Sequence, residues 1–333
     1  MSRMTWLAVA SLLSTSALAK PPRIESRVGE GAWRSDAAIY PLKGEAVRLR
    51  VKPVEGATIR WYRIYPDISH DYKNANYPWD PNPYEWIGWA KIDYRREELS
   101  RHRGEWELNP LDDAGHVIRG DGETALQPHP TDTPHYRADA GSSWFQVEIE
   151  KGGAIQRSPG IDEGDARGLS PNVFRMSIRD GDGYLGFVTS YLNVPGLFGS
   201  TPYQSGNYVG VDCADVLMAA FSRSRGQAPQ RDYNVAMLVK ELSTVARFAL
   251  AGGRPDAAVA FGSQVRPGDL IATRYAGQRQ FQHVGALYSD ANADGRLDEG
   301  DLVLHAGPDS LHVSRLSEGG FDGEVVILRP ASR

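Results

Sequence analysis

The sequence has very little cysteine: among its 333 residues, Cys213 is the only one. A single thiol cannot form a disulfide within the chain, so the fold cannot be held together in that way. The chain also lacks internal repeats and low-complexity tracts. It must therefore be stabilised by ordinary hydrophobic cores, and at this length we expect two domains.

Long apolar runs are also lacking. The longest hydrophobic stretch, residues 6–13, is too short to cross a bilayer, and we predict no membrane span. It follows Arg3 and precedes Ala17-Leu18-Ala19, which together are typical of a secretory signal peptide over residues 1–19. We therefore expect an exported protein, periplasmic or secreted. Cys213 lies far from this cleavage site, so no lipid anchor is expected on it.

The chain as a whole lacks a strong excess of charge of one sign. The formal net charge is −5, and the arginine-rich stretch of residues 95–103 also contains Glu97 and Glu98. Nucleic-acid binding normally needs a basic patch, and we predict none.

The residues around Cys213 predict the start of a helix. Val216, Leu217 and Ala220 recur at helical spacing after the cysteine, and Asp212 is a favourable N-cap. A thiol at a helix N-terminus is favoured as the nucleophilic thiolate. An unpaired cysteine in an exported protein is either an intermolecular link or a reactive thiol. The alternative is an inert, buried apolar cysteine.

Residues 20–180 predict a β-rich, sandwich-like domain. Short segments of alternating apolar and polar residues, such as "EAVRLRVKP" and "SSWFQVEIEKGG", are separated by turn residues and favour an antiparallel sandwich. Five histidines in its loops show no metal-ligand spacing, and we expect them at the surface: His70, His102, His116, His129 and His135. The aromatic loop of residues 77–89 is a candidate contact surface.

Residues 181–333 predict helices followed by a small antiparallel sheet, so the whole chain falls in the α+β class. The segment "RDYNVAMLVKELSTVARFAL" has an amphipathic stripe that predicts one helix over residues 235–249. The strands that follow carry His283 and His305. If those two strands pair as a hairpin, both imidazoles can reach one face near the cysteine. His312 is a competitor for the second histidine role, although we expect it to be a strand surface residue.

The order of these motifs resembles that of the NlpC family of papain-like cell-wall cysteine peptidases. The motifs are "TPYQSGNYVGVDC", "PGDLI", "HVGALY" and "VLHAG", which fall within residues 187–328. The resemblance implies Cys213 as nucleophile, His283 as general base, His305 as the residue that orients it, and Tyr203 near the oxyanion site. It also implies a papain-like fold and Asp212 as a substrate-binding residue.

Two positions depart from the family pattern. The family usually continues Asp-Cys-Ser-Gly, whereas this chain has Ala214 and Asp215 after the cysteine. In the family the serine helps to bind the free amine of a peptide stem, which an alanine side chain cannot do. The identity of the substrate is therefore less well supported than the identity of the nucleophile.

An EF-type calcium loop is predicted between the two histidine strands, at residues 290–301 ("DANADGRLDEGD"). Oxygen ligands fall at positions one, three, five, seven and nine, glycine at six and an acid at twelve. The ligands would be Asp290, Asn292, Asp294, the Arg296 carbonyl, Asp298 and Asp301. The alternative is a polar hairpin turn rich in Asp and Asn. A structural calcium ion here would hold the hairpin that carries both histidines.

The sequence therefore predicts an exported cysteine peptidase or amidase with a Cys-His-His triad, in which a β-sandwich precedes an NlpC-like domain. The expected substrate is a peptidoglycan stem or crosslink peptide. A non-catalytic envelope-binding protein with a degenerate papain-like domain is the alternative from another class. An amide or acyl transferase that uses the same thiol is a third possibility.

Overall fold

The computed structural model describes residues 20–70, 72–73, 92–112, 129–164 and 168–330. The predicted signal peptide, His116 and the aromatic loop of residues 77–89 lie outside them. The strands of the N-terminal half are β1 (Glu25–Val28), β2 (Ala38–Ile39), β3 (Val47–Arg50), β4 (Thr58–Pro66), β5 (Tyr72–Lys73), β6 (Tyr94–Glu98), β7 (Glu107–Leu108), β8 (Gly141–Lys151), β9 (Ala154–Arg157) and β10 (Phe174–Ile178).

Two sheets of the N-terminal half share one core. The smaller has the order β1-β3-β7, and the larger has the order β2-β10-β8-β4-β6 with β9 paired to β8. In β3, Val47 and Leu49 face the core and alternate with arginines. They pack in one cluster with Trp61 of β4 and Phe145 of β8. All these strand pairs are antiparallel except β2 with β10, which is parallel.

The C-terminal half contains the regular helices of the described chain and a larger sheet. Its elements are α1 (Tyr184–Thr189), β11 (Leu197–Phe198), α2 (Pro202–Gly206), α3 (Cys213–Ser224), α4 (Val235–Glu241), β12 (Ser243–Ala251), β13 (Arg254–Pro255), β14 (Leu270–Arg274), β15 (His283–Ser289), β16 (Leu302–His305), β17 (His312–Arg315) and β18 (Gly323–Arg329). This sheet-rich mixture with few helices confirms the α+β class.

The C-terminal sheet has the order β13-β12-β18-β14-β15-β16-β17, and all its strand pairs are antiparallel. Both of its faces are covered, which explains why strands such as "LIATR" are almost continuously apolar. In β14, Leu270 and Ala272 pack towards the helices, whereas Ile271 packs in a separate cluster on the opposite face. Helix α3 lies against β15, and this contact places the cysteine beside the histidine strands.

The single helix predicted over residues 235–249 is wrong. Asn234 caps α4 by accepting a hydrogen bond from the Met237 N–H, but the helix ends at Glu241 and the chain continues as β12. Thr244 and Val245 are β-branched and favour a strand. Pairing of β12 with β18 along its length supplies the backbone hydrogen bonds that a helix would have made internally, so tertiary pairing outweighs the helical periodicity.

The two halves are joined by a continuous core and by polar contacts. Trp144 of the N-terminal half packs in the same cluster as Val188 of α1 and Val216 of α3. Asn193 donates from its amide to the Arg137 carbonyl at 2.7 Å and accepts from the Arg137 N–H at 2.8 Å. The domain boundary near residue 180 remains a prediction, since this core crosses it.

Not all the loop histidines of the N-terminal half lie at the surface, as the sequence had suggested. His102 and His129 are 5% and 7% exposed. The His129 ring pairs with the buried Glu97 carboxylate at 2.8 Å, which satisfies both groups inside the protein. Across the described ranges, no helix is both long and apolar enough to cross a membrane.

Candidate functional site

Cys213 is the first residue of α3, where the sequence predicted a helix to begin. The Asp212 side chain caps this helix by accepting hydrogen bonds from the N–H groups of Ala214 and Asp215, at 3.0 and 2.8 Å. The cap fixes the direction in which the helix leaves the loop. It therefore also fixes where the thiol lies relative to the sheet.

The thiol is not poised as a thiolate in the resting protein. Burial raises the pKa of Cys213 above its ordinary value, and the nearby Asp212 carboxyl raises it further. The Val284 N–H lies close enough to the sulfur to stabilise its charge, but this effect is smaller. Burial thus opposes the effect of the helix N-terminus, and Cys213 needs a base.

The two histidine strands pair as neighbours, as the sequence predicted. In the antiparallel register of β15 with β16, Gly285 faces His305. Nε2 of His283 lies 3.2 Å from Nδ1 of His305, with the rings at 85° to each other. A Cβ at Gly285 would lie 2.6 Å from Cγ1 of Val303, 2.9 Å from Cζ of Phe321 and 3.0 Å from Cβ of His305. A side chain at this position would therefore displace the packing around His305.

A third side chain extends this hydrogen-bonded row. Ser314 of β17 lies with its Oγ 2.9 Å from Nε2 of His305, and its hydroxyl donates to the Arg315 carbonyl at 3.1 Å. If Nε2 of both rings carries the proton, His283 donates to His305 and His305 donates to Ser314, which leaves the lone pair of His283 on Nδ1. The row Ser314–His305–His283 is hereafter the histidine relay.

Both imidazoles of the histidine relay are neutral at physiological pH. Burial lowers the pKa of His283 to about 4 and that of His305 to about 2, with a smaller contribution from His312 in both cases. A neutral imidazole accepts a proton, whereas a charged one cannot. The relay is thus in the protonation state that a general base requires.

Tyr203 lies on α2, which packs against α3. The helix is preceded by a capping box in which the side chains of Thr201 and Gln204 bond to each other's backbone N–H. The Tyr203 carbonyl accepts from the Asn207 N–H at 3.0 Å. The backbone at the family tyrosine is therefore well anchored, and its role near the oxyanion remains a prediction.

The two departures from the family pattern after the cysteine lie inside the protein. Ala214 is 2% exposed and Asp215 is 3% exposed. The Asp215 carboxyl accepts from the Ser200 hydroxyl at 2.8 Å and from the Tyr233 N–H at 3.1 Å. Burial, together with the charge of Asp212, raises the pKa of Asp215 to about 9. Asp215 is therefore an internal group bonded to Ser200 and Tyr233, and it does not face a substrate surface.

His312 is not the isolated surface residue that the sequence suggested. It lies directly opposite His305 in the register of β16 with β17, and the two ring centroids are 4.3 Å apart. On its other side the ring lies 4.2 Å from that of His135, from the N-terminal half. Residues distant in sequence thus meet here, and no local motif could have indicated it.

Sequence reasoning also missed Tyr275 and Ser314. Tyr275 directly follows β14 and lies near Cys213: burial raises the pKa of Tyr275, and its interaction with Cys213 raises it further. Ser314 is a small polar residue on an edge strand, a position at which serine is common. Neither residue belongs to a recognisable motif, so only the fold connects them with the site.

The predicted calcium loop connects β15 to β16. Its side chains hold the loop backbone: one oxygen of Asp290 accepts from the Gly295 N–H at 2.8 Å, and Asp294 accepts from the Arg296 N–H at 2.8 Å. Asn292 accepts from the Asp294 N–H in the same way, and Asp298 and Asp301 accept from other N–H groups of the loop. Gly295 has a positive φ of 76°, which explains glycine at the sixth position.

One oxygen of this loop has no partner. Oδ1 of Asp290, at the first ligand position, is buried and makes no hydrogen bond to any residue that the structure describes. Burial and the charges of Asp298 and Asp290 raise the pKa of Asp301. A buried acceptor without a donor and carboxylates that repel one another both suit a cation. The residues present therefore fit a calcium ion.

Comparisons of the chain with family models, curated proteins and solved structures found no match.

Proposed function

We propose that the protein is an exported cysteine peptidase or amidase whose C-terminal half is a papain-like, NlpC-type domain. The observation that supports this most is the histidine relay beside the cysteine at the start of α3. In the proposed tautomer Nε2 of His283 donates to His305, and Nδ1 is free to accept a proton. A cysteine at a helix start beside an imidazole that a second side chain orients is the arrangement that general-base activation requires.

In the acylation step, Nδ1 of His283 takes the Cys213 proton as the sulfur attacks the carbonyl carbon of the substrate amide. The C–N bond then breaks, and the imidazolium returns its proton to the leaving amine, which leaves a thioester on Cys213. His305 accepts from Nε2–H of His283 throughout. It holds the ring in one tautomer and stabilises the imidazolium, and Ser314 holds His305 in turn.

In the deacylation step, the neutral His283 takes a proton from water, and the resulting hydroxide attacks the thioester. The C–S bond breaks, and the proton returns to the sulfur, which releases the acid product and restores the thiol. The proposed donor to the negative charge of the tetrahedral intermediates is the Cys213 N–H, because the next three N–H groups of α3 are bound to Asp212. The Tyr203 hydroxyl is the proposed second donor, and the phenol of Tyr275 is a further candidate.

The proposed substrate is a peptidoglycan stem or crosslink peptide. The proposal rests on the secretory pattern of residues 1–19 and on the resemblance of the motif order to the NlpC family. Since Ala214 is buried, its methyl group packs in the core and does not face a substrate. In this reading Asp212 contributes to substrate binding mainly by holding the helix start in place.

We also propose that residues 290–301 bind a structural calcium ion. The ligands would be the side chains of Asp290, Asn292, Asp294, Asp298 and Asp301 and the carbonyl of Arg296. The unpartnered Asp290 oxygen supports this, as does the position of the loop between the strands of His283 and His305. The ion would hold the hairpin and take no part in the chemistry.

The decisive experiment is digestion of purified peptidoglycan, read by mass spectrometry of the released muropeptides. Wild-type protein is compared with Cys213→Ala and with His70→Ala, which removes an exposed histidine from the N-terminal half. We expect new stem-peptide fragments from wild type and His70→Ala, and none from Cys213→Ala. The masses of the fragments identify the bond that is cut.

The same assay separates the alternatives. Retained binding to the wall without products from wild type would contradict the hydrolase and support the non-catalytic binding protein. Added amine acceptors test the transferase. If products that carry the acceptor form in place of the hydrolysed acid, the main reaction of the thioester is transfer and not hydrolysis.

A further inference from the structure

A cluster of three ligand-type side chains lies beside the histidine relay. His135, Asp309 and His312 each offer one nitrogen or oxygen atom, and these atoms lie within 4.8 Å of one another. Nε2 of His135 is 3.4 Å from Oδ2 of Asp309. Two ligands on a tetrahedral zinc ion, each at about 2.0–2.1 Å, are separated by roughly 3.4 Å. The observed separation leaves room for a metal between the two atoms, although an ordinary His–Asp ion pair has the same spacing, so the third ligand of the cluster carries the argument.

The backbone around the cluster holds its ligands in position. Nδ1 of His312 is 2.8 Å from the Ser310 carbonyl, to which it donates, so Nε2 keeps its lone pair. A ring nitrogen donating to a carbonyl while the other stays free is the usual arrangement of a metal-ligating histidine. The Asp309 carbonyl accepts from the Gly307 N–H at 2.7 Å, and a Cβ at Gly196 would lie 3.2 Å from that carbonyl.

The cluster is also open to solvent on one side. The side chains of His135 and Asp309 are 25% and 53% exposed, whereas Ser310 and Leu311 beneath them are buried. Three protein ligands with an accessible fourth position are typical of zinc sites that keep a bound water. Two imidazoles and one carboxylate select a borderline transition metal over calcium or magnesium, which prefer oxygen ligands.

We propose that His135, Asp309 and His312 form a binding site for a transition-metal dication, with Zn²⁺ as the expected ion, that joins the two halves of the chain. His135 comes from the N-terminal half, and the other two come from the segment between β16 and β17 and from the start of β17. This inference does not depend on the proposed peptidase activity. It is also separate from the calcium loop, because the two sites share no residue.

The proposal is tested by titrating the purified, chelator-treated protein with Zn²⁺ in a calorimeter, and with Co²⁺ followed by visible absorption. We expect one ion per chain with the absorption of a tetrahedral Co²⁺ site. His135→Ala and Asp309→Asn should each weaken binding at least tenfold. His135→Lys places an ammonium group opposite Asp309 but is a poor ligand, and it should weaken binding to the same extent.

Two controls locate the ion. His70→Ala removes a histidine whose Nε2 lies 3.4 Å from Oδ2 of Asp67, the same separation as in the cluster, and it should bind like wild type. Cys213→Ala should also bind like wild type. Loss of binding in Cys213→Ala would place the metal on the thiol and contradict the proposal. Wild-type affinity in His135→Ala, or no binding by the wild type, would contradict it equally.

Stability gives an independent measurement that does not require activity. Zn²⁺ binds the native cluster and not the unfolded chain, so it should raise the melting temperature of wild type and of Cys213→Ala. The rise should be absent in His135→Lys, which is expected to fold because position 135 is partly exposed. An equal rise in His135→Lys would mean that the stabilising ion binds elsewhere.

Discussion

Nε2 of His283 lies 3.2 Å from Nδ1 of His305, and the two residues belong to neighbouring strands of one sheet. Ser314 lies 2.9 Å beyond His305, on the next strand. His305 thus lies between His283 and Ser314, and in the proposed mechanism it orients the His283 ring.

The first prediction concerns this orienting bond. His305→Ala removes the acceptor of His283 Nε2–H and should lower kcat by about 10²-fold, within the usual range for general acid–base catalysis. His305→Asn keeps a carbonyl oxygen as an acceptor and should recover much of that loss. The measurement is kcat and KM on muropeptides, with His70→Ala as the control. Equal activities of the Ala and Asn variants would show that the hydrogen bond to His283 is not what His305 contributes.

The second prediction concerns stability against pH. The pKa of His283 is about 4 in the folded protein because the ring is buried, whereas an unfolded histidine titrates near 6.5. The unfolded chain therefore binds more protons between these values, and this group favours unfolding as the pH falls from about 6.5 to 4. The effect reaches roughly 3 kcal/mol at the lower end.

Urea unfolding at several pH values measures this effect. The difference in unfolding free energy between wild type and His283→Gln should shrink or reverse as the pH falls through that window, and it should be constant above pH 7. His70→Gln is the control for removing an exposed histidine. A constant difference between wild type and His283→Gln from pH 7 to pH 4 would rule out the burial effect on His283.

The third prediction concerns Gly319, which lies against the histidine relay. A Cβ at this position would lie 2.7 Å from the Ser314 Oγ and 3.0 Å from Nε2 of His305, so one of them must move. Gly319→Ala should displace the relay and lower kcat by up to about 10²-fold, with a small effect on KM.

Gly181→Ala is the matched control for this substitution, since a Cβ there would meet nothing within 4 Å. It should keep wild-type activity. Circular dichroism and thermal melting check that both variants fold. A folded Gly319→Ala protein with unchanged kcat would mean that the relay tolerates the shift.

The fourth prediction concerns calcium. If residues 290–301 bind the ion, saturation at 100 times the dissociation constant adds about 2.7 kcal/mol to the free energy of unfolding. Chelator should therefore lower the melting temperature of wild type, and Asp290→Ala should lose most of this calcium dependence. Asp182→Ala removes an aspartate whose side chain is 84% exposed and should behave like wild type.

Calorimetric titration with Ca²⁺ reports the same site directly. We expect binding to wild type and to Asp182→Ala, and a loss of at least tenfold in Asp290→Ala. Binding that survives in Asp290→Ala would exclude the loop as the site.

Local sequence was sufficient for the elements whose signals are local. The helix starts at Cys213 because Asp212 is a good cap and apolar residues recur at helical spacing after it. The hairpin of β15 and β16 follows from two apolar strands separated by a polar loop. The α+β class follows from the order of these segments. Each of these patterns is set by residues that are close to one another in the sequence.

Other features were decided by contacts between distant parts of the chain. Residues 243–249 have a helical stripe, yet they form a strand because β18 offers a full row of backbone partners. The thiol keeps its proton because the fold buries the sulfur, which opposes the effect of the helix start.

The position of Ser314 beside His305 and that of His135 beside His312 likewise could not be predicted from the sequence. Ser314 reaches His305 through the pairing of β16 with β17, and His135 reaches His312 across the junction of the two halves. The sequence by itself determined the start of the cysteine helix and the two histidine strands, and it predicted Cys213 as the nucleophile. Only the tertiary structure decided the protonation states and the neighbours of the histidines, because burial and long-range contact set both.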